Sequence, residues 1–346
     1  MPEPRLPGDR RLAPAIRLAP AKLNLTLAVD GRRPDGYHEL HSVMAPLALA
    51  DLISAAPAAG GGDTLAVSGF DTGPLADNLV LRAIAETRAA VGRASATPGL
   101  AVRLEKHVPV AAGLGGGSSD AAATIDAALE AWAVDAVLGP DELDDIRRRT
   151  AARLGSDVPF FLAGGAAVVT GRGEHVEPLP PLRGAAPGVL LVTPGASLAT
   201  VAAFAAFDAD PAAAPRDHRS TRASSEHLAM EWRAGLGSDA LVTRAGALAS
   251  ANDLAEAADV VLPGLRGLRR ALVRLLHRPV GLSGSGPTLW VLYASATEAA
   301  DAAAAAHGSM DDGAIVAPGA GRPSIVATTI ESATPAASKP GQEGPA

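Results

Sequence analysis

The chain has 346 residues, a net charge of −7, 48% hydrophobic residues and only 3% aromatic ones, so it can bury an aliphatic core for one large or two ordinary domains. The acidic balance excludes a non-specific nucleic-acid binder, and the absence of cysteine excludes a disulfide framework, a thiolate zinc site and an iron–sulfur cluster. No apolar run reaches the roughly 18 residues of a membrane span, and the N-terminus has no secretory apolar stretch, so a cytoplasmic protein without membrane contact is expected.

Residues 1–11 are Pro- and Arg-rich without periodicity and read as a disordered tail, as do residues 332–346. Residues 17–29 alternate at period two through Leu23, Leu25 and Leu27, which predicts a strand, and residues 32–37 predict a turn. A strand is expected from Val43 to Ile53, a glycine turn at 60–62, and a helix from Asn78 to Val91 capped by Asp77 or Asn78. Leu100 to Leu104 alternates again and leads into P-V-A-A-G-L-G-G-G-S-S, residues 109–119. Helices follow over Ser119 to Ala133, with Ile125, Leu129 and Trp132 on one face, and over Leu143 to Leu154. Ala166–Thr170 and Gly188–Val192 read as buried strands, and Asp208–Arg222 as an exposed loop. Helices are expected at 254–258, 262–276 and 297–307, a glycine loop running into a strand at 280–292, and a last strand at 324–330. Strands and helices mix without a regular βαβ repeat, which favours an α+β fold.

Four segments carry chemistry. The glycine loop sits between a strand and a helix N-terminus, where bare backbone N–H groups and the helix dipole suit a phosphate chain. It is not a Walker A loop, since Ser118, Ser119 and Asp120 follow the glycines and no lysine stands beside them. The charge must therefore come from elsewhere. Only Lys22, Lys106 and Lys339 are lysines in an otherwise arginine-using chain; Lys22 reads as a site for a compact ammonium, Lys106 as incidental. Lys22 and Asn24, two apart, share a strand face opposite Leu23, Leu25 and Leu27; position alone leaves a solvated face as the simpler account. Asp157, beside Phe160 and Phe161, reads equally as a helix cap or as a partly desolvated base. The small-residue loop L-S-G-S-G-P-T, residues 282–288, allows close approach of another backbone or a ligand.

Together the two glycine motifs resemble those of the GHMP kinase superfamily, which includes galactokinases, homoserine kinases and mevalonate kinases. A-P-A-K-L-N-L, R-R-P-D-G-Y-H-E-L-H-S-V and G-S-D-V-P-F-F narrow the resemblance to the branch that phosphorylates a cytidine-diphosphate-linked methylerythritol. The resemblance runs from about residue 17 to 330. It implies a two-domain α+β kinase fold: residues 12–180 like ribosomal protein S5 domain 2, residues 181–331 ferredoxin-like. It implies ATP-dependent phosphorylation of the C2 hydroxyl of 4-diphosphocytidyl-2-C-methyl-D-erythritol in non-mevalonate isoprene biosynthesis, with Mg²⁺, by a monomer or weak homodimer that binds no nucleic acid. Lys22 and Asp157 then match the catalytic pair, and Asn24 lies near the reacting groups. Tyr37 and His38 match the grip on cytosine, with Phe204 as a further stacking face. Pro109, Val110, Ala111, Ala112, Gly113, Leu114, Gly115, Gly116, Gly117, Ser118 and Ser119 match the ATP phosphate loop, with Ser118 or Ser119 near the metal. Ala111 and Ala112 depart from the glycines often found there, which alanine tolerates except at positive φ. A homoserine or mevalonate kinase is the first rival, opposed by D-G-Y-H-E-L. A non-catalytic nucleotide-binding relative is the second, opposed by the presence of both Lys22 and Asp157.

Overall fold

The computed structural model describes residues 14–92, 96–209 and 219–331. The expected terminal tails and the middle of the 208–222 segment lie outside those residues. The chain runs β1 (Ala15–Asn24), β2 (Ala28–Arg32), β3 (His38–Pro57), β4 (Thr64–Gly69), α1 (Leu79–Val91), β5 (Leu100–Lys106), α2 (Gly116–Ala131), α3 (Pro140–Leu154), α4 (Val158–Ala163), β6 (Ala167–Gly171) and β7 (His175–Pro178). It continues β8 (Gly188–Thr193), α5 (Thr200–Ala209), α6 (Arg219–Arg233), α7 (Ser238–Thr243), α8 (Ala245–Ala249), α9 (Ala255–Val261), α10 (Leu265–Leu276), β9 (Gly281–Leu282), β10 (Leu289–Tyr293), α11 (Ala296–Asp311) and β11 (Ser324–Thr329).

Among the described residues the strands form two sheets. The first has the order β4-β5-β3-β6-β7, with β1 and β2 also pairing to the long β3; the second has the order β11-β8-β10-β9. Only the β4–β5 pair in these sheets is parallel. This is the α+β class expected from the unpatterned mixture of elements.

Three cores result. The first lies under α1, α2 and α3, where Ile84, Ile125, Leu129 and Trp132 meet Ile53, Leu100 and Leu104 of the first sheet. The second joins the two sheets: Leu23, Val43 and Leu47 pack with Val189, Leu191, Trp290 and Leu292, and Leu228 and Trp232 of α6 close it. The third packs the other face of the second sheet on α10 and α11 through Leu190, Val192, Leu268, Leu272 and Ala306.

Two expectations are corrected. The strand expected over 17–29 is broken, because Leu25 N–H still donates to Val43 O at 2.9 Å whereas Leu27 N–H leaves the sheet for Ala251 O at 2.7 Å. Both ends of the expected 208–222 loop are helical, Asp208 and Ala209 ending α5 and residues 219–222 opening α6. Buried Leu228, Ala229 and Trp232 recur at helical spacing and draw α6 into the second core. Several elements had no prediction: α4, β7, α5, α6, α7, α8 and β4, a half-exposed strand whose inward groups are Leu65 and Val67.

Candidate active site

The site grows from an irregularity in β1. Its register with β3 shifts between Pro20 and Lys22, where Pro20 has no N–H to give. The bulge turns Lys22 inward, and Lys22 N–H donates to Leu114 O at 2.8 Å, tying the strand to the glycine loop. The Lys22 ammonium is buried, donates to Asn24 Oδ1 and lies 3.8 Å from Asp157 Oδ2. The solvated-face account of Lys22 and Asn24 therefore fails: both side chains are buried, as are Leu23 and Leu25 in the second core, while Leu27, beyond the strand break, borders the same cleft as Lys22 and Asn24. Burial pulls the Lys22 pKa below the ordinary lysine value, and the Asp157 charge offsets part of that. Asp157 precedes α4, but its side chain makes no capping hydrogen bond. Its carboxylate stays 33% exposed on the cleft.

The cleft has a volume of about 450 Å³ and is lined by Lys22, Asn24, Asp157, the glycine loop, Lys106, Asn78 and Phe204. Helix α2 opens at Gly116, three residues earlier than expected, so its free N–H groups begin inside the glycine run. Gly113 and Gly115 have φ of +75° and +70°. A Cβ on Gly113 would strike Ser283 O, and one on Gly115 would come within 2.9 Å of Lys22 Cγ and Phe161 Cζ. The loop thus wraps so tightly that only glycine fits at these two positions. Ala111 takes φ +52°, the one region in which its substitution for glycine carries strain.

The 282–288 loop closes the floor. Ser283 Oγ donates to Gly113 O at 3.0 Å, and Thr288 N–H donates to Ala112 O at 3.3 Å. Asn252 Nδ2 donates to both Leu282 O and Gly284 O at 2.9 Å, fixing that loop. Two polar atoms beneath the cleft, Ser119 Oγ and Asp120 Oδ1, are buried without a hydrogen-bond partner. Among the described residues no cluster of three or more His, Asp or Glu side chains could hold a metal on its own.

At the far end, His38 is buried, stacks on Phe204 with ring centroids 4.7 Å apart, and its Nε2 lies 2.7 Å from Asp208 Oδ1. Tyr37 is 51% exposed and lies under the Arg172 guanidinium, 5.1 Å from the ring centroid. Phe204 therefore pairs with His38 in this state, and Tyr37 stands outside the pair. A larger groove of about 880 Å³, lined by Arg266, Arg269, Arg270 and Arg274, lies between α9 and α10 and shares none of the converging groups.

Residues 78–165, which hold the glycine loop and Asp157, match the family model of the GHMP kinase N-terminal domain. The 4-diphosphocytidyl-2-C-methyl-D-erythritol kinase of Pelotomaculum thermopropionicum is 38% identical over 290 residues, 83% of this chain and 92% of the relative. The enzyme of the same name from Kineococcus radiotolerans is 40% identical over 85% of this chain and 86% of the relative. The chain belongs to the 4-diphosphocytidyl-2-C-methyl-D-erythritol kinase family. A crystal structure of 4-(cytidine 5'-diphospho)-2C-methyl-D-erythritol kinase superimposes with TM-score 0.63 at 30% identity, over 91% of this chain and 99% of that one. The homoserine kinase of Cytophaga hutchinsonii, at 17% identity and TM-score 0.65, shares the two-domain kinase fold alone. As a member of this family the chain is a small-molecule kinase. No helix among the described residues is long and apolar enough to cross a membrane.

Lys106 is the residue that sequence reasoning passed over. It is buried under the loop, its ammonium bonded to Asp51 Oδ2 and, at 2.8 Å, to Asp120 Oδ2. Asp51 Oδ1 also accepts from His107 N–H at 2.5 Å and Val108 N–H at 2.8 Å, which pins the chain as it enters the loop. Burial, opposed by Lys106 and aided by Asp51, raises the Asp120 pKa to about 7. The rarity of lysine in the chain was the available signal. Asn252 offered none, since its role depends wholly on a loop thirty residues later.

Proposed function

We propose that this enzyme transfers the γ-phosphoryl group of ATP to the C2 hydroxyl of 4-diphosphocytidyl-2-C-methyl-D-erythritol, with Lys22 and Asp157 as its catalytic pair. The observation that carries the reading is the convergence of Lys22, Asp157, the glycine loop and the N-terminus of α2 on one cleft. The loop N–H groups from residue 110 to 119, with Pro109 leading into them, hold the ATP phosphates. Asp157 takes the proton of the acceptor hydroxyl as its oxygen attacks the γ-phosphorus, and ADP leaves in line. Lys22 orients Asp157 and offsets the negative charge that builds on the transferring group. Asn24 holds the Lys22 ammonium in place.

The orphaned Ser119 Oγ and Asp120 Oδ1, both oxygen donors beneath the phosphate loop, fit a hard divalent cation that draws its other ligands from phosphate and water. Ser119, with Ser118 at the loop edge, would hold Mg²⁺, which would offset the negative charge of the phosphates. His38 and Phe204 grip the cytosine once their mutual stack opens, and exposed Tyr37 supplies a further ring at the mouth. In this reading residues 12–180 form the phosphate-loop domain and residues 181–331 the domain that closes the cleft.

A phosphorylation assay on the cytidylylated alcohol, homoserine and mevalonate tests the proposal. Turnover of the first, at a kcat/KM at least about a hundredfold above the others, is the expected result. Activity only on homoserine or mevalonate overturns it.

A further inference from the structure

Two runs of hydrogen bonds, one from the Lys22 ammonium to the Thr26 carbonyl and one from the Thr26 hydroxyl to a helix of the second half of the molecule, are joined through Thr26 itself. Lys22 Nζ donates to Asn24 Oδ1, and Asn24 Nδ2 donates to Ser42 Oγ at 2.9 Å. Ser42 Oγ donates to the Thr26 carbonyl at 2.5 Å. Thr26 Oγ1 accepts from Val43 N–H at 3.0 Å and lies 2.7 Å from Ser225 Oγ on α6. Ser225 Oγ lies 2.7 Å from His41 Nδ1. Asn24, Thr26, His41, Ser42 and Ser225 are all buried.

One arrangement satisfies every group here at its shortest contacts, with the His41 carbonyl, 3.5 Å from Ser225 Oγ, as the weaker alternative acceptor. Thr26 Oγ1 already accepts from a backbone N–H, so its own proton is free to go to Ser225, and the Ser225 proton then goes to an unprotonated His41 Nδ1. Burial, with Arg222 next in effect, pushes His41 below the usual histidine range, which favours the neutral ring, and Nδ1 accepts in the tautomer that carries its proton on Nε2. Asn24 cannot flip its amide without presenting an NH₂ to an ammonium, so Ser42 fixes which atom meets Lys22. The Thr26 carbonyl in turn fixes the Ser42 hydroxyl. Thr26 sits where β1 has just left the sheet, in the stretch between β1 and β2, and the Ser225 hydroxyl is what its side chain meets there.

We propose that Ser225 and Thr26 are positioning residues for the phosphoryl transfer, setting the Lys22 ammonium through Ser42 and Asn24. The proposal rests on the reading of Lys22 and Asp157 as the catalytic pair. It assigns to α6, which lines none of the reaction cleft, a share in the rate of the chemical step.

The test is Thr26→Val, which removes the hydroxyl at nearly constant shape, together with Ser225→Ala and the conservative Thr26→Ser. Thr26→Val and Ser225→Ala are expected to lower kcat roughly ten- to hundredfold, with KM for ATP within about twofold of wild type. The double variant is expected to lose no more than the worse single one, because both break the same chain. Thr26→Ser keeps the hydroxyl and is expected to restore most of the rate.

Lysine-selective ¹³C labelling gives a second readout without any substrate. The chain has three lysines, Lys22, Lys106 and Lys339, so the Lys22 side-chain signal is readily assigned. It is expected to shift in Thr26→Val and Ser225→Ala while that of Lys106 stays. An unmoved Lys22 signal, an unchanged kcat, a change confined to KM, or a Thr26→Ser as impaired as Thr26→Val overturns the proposal. A wild-type enzyme inactive on the cytidylylated alcohol would overturn the proposed function instead, and the lysine signals would still decide the positioning chain.

Discussion

In the proposed reaction Asp157 is where binding and chemistry separate. Its carboxylate stands 3.8 Å from the Lys22 ammonium and faces the cleft rather than capping α4. Asp157→Asn keeps the shape and loses the proton acceptor, so kcat is expected to fall about 10²- to 10⁴-fold. Removing a negative charge beside the phosphate site gives no reason for nucleotide affinity to drop, so calorimetric titration with ATP is expected to give a Kd within about threefold of wild type. Retained turnover would remove Asp157 from the reaction. Position alone leaves Lys22 and Asn24 as a solvated face and Asp157 as a helix cap or a base; only the resemblance carried by A-P-A-K-L-N-L and G-S-D-V-P-F-F singles out Lys22 and Asp157. Lys106 stayed hidden because its partners are far along the chain, Asp51 by 55 positions and Asp120 by 14. The His38–Phe204 contact was hidden for the same reason: pairing rules say nothing about which ring of a distant helix will arrive.

At the scale of elements, the N-terminus of α2 and the strands beneath it form one electrostatic unit. Asp51 on β3, Lys106 at the end of β5 and Asp120 in the first turns of α2 are locked together under the phosphate loop. Two carboxylates share one ammonium there, and desolvation makes the second charge costly, which is why Asp120 holds its proton up to about pH 7. An unfolded chain releases that proton near 3.8, the ordinary aspartate value. Between these values the folded state binds more protons than the unfolded one, so stability from this group is complete below about pH 4 and falls as pH rises to about 7. Urea denaturation of wild type and Asp120→Asn from pH 4 to 8 is expected to show the wild type losing on the order of 3 kcal/mol relative to the variant over that window, then levelling. A difference independent of pH would show that Asp120 is ionised throughout. Elements of this kind were readable where period and caps were strong: α1 begins one residue after its expected cap, with Asn78 Oδ1 accepting from Val80 N–H at 3.0 Å. They were unreadable where a residue's meaning comes from its neighbour in space, as with the Pro20 bulge that turns Lys22 inward.

The whole molecule is more unified than its two sheets suggest. Composition and order of elements allow a division near residue 180, and the strands do change sheet between Pro178 and Gly188. Yet the second core belongs to neither half, since Leu23, Val43 and Leu47 bury against Leu191, Trp290 and Leu292, with Trp232 fully enclosed between them. Separating the halves would expose that apolar surface, at about 25 cal/mol for each Å² uncovered, and would strip Asn24 and Gly113 of their contacts with Ser283. Such a penalty couples the halves, so unfolding is expected as one transition. Trp232 and Trp290 report the shared core, Trp132 the first core, and far-ultraviolet circular dichroism the helices of both halves. All three probes are expected to give the same midpoint, with calorimetric and van't Hoff enthalpies equal within about 10–15%. Two resolved transitions would mean that the shared core is too weak to join the halves. A single transition gives the cleft its rigidity, because the glycine loop of one half and the 282–288 loop of the other can then loosen only together.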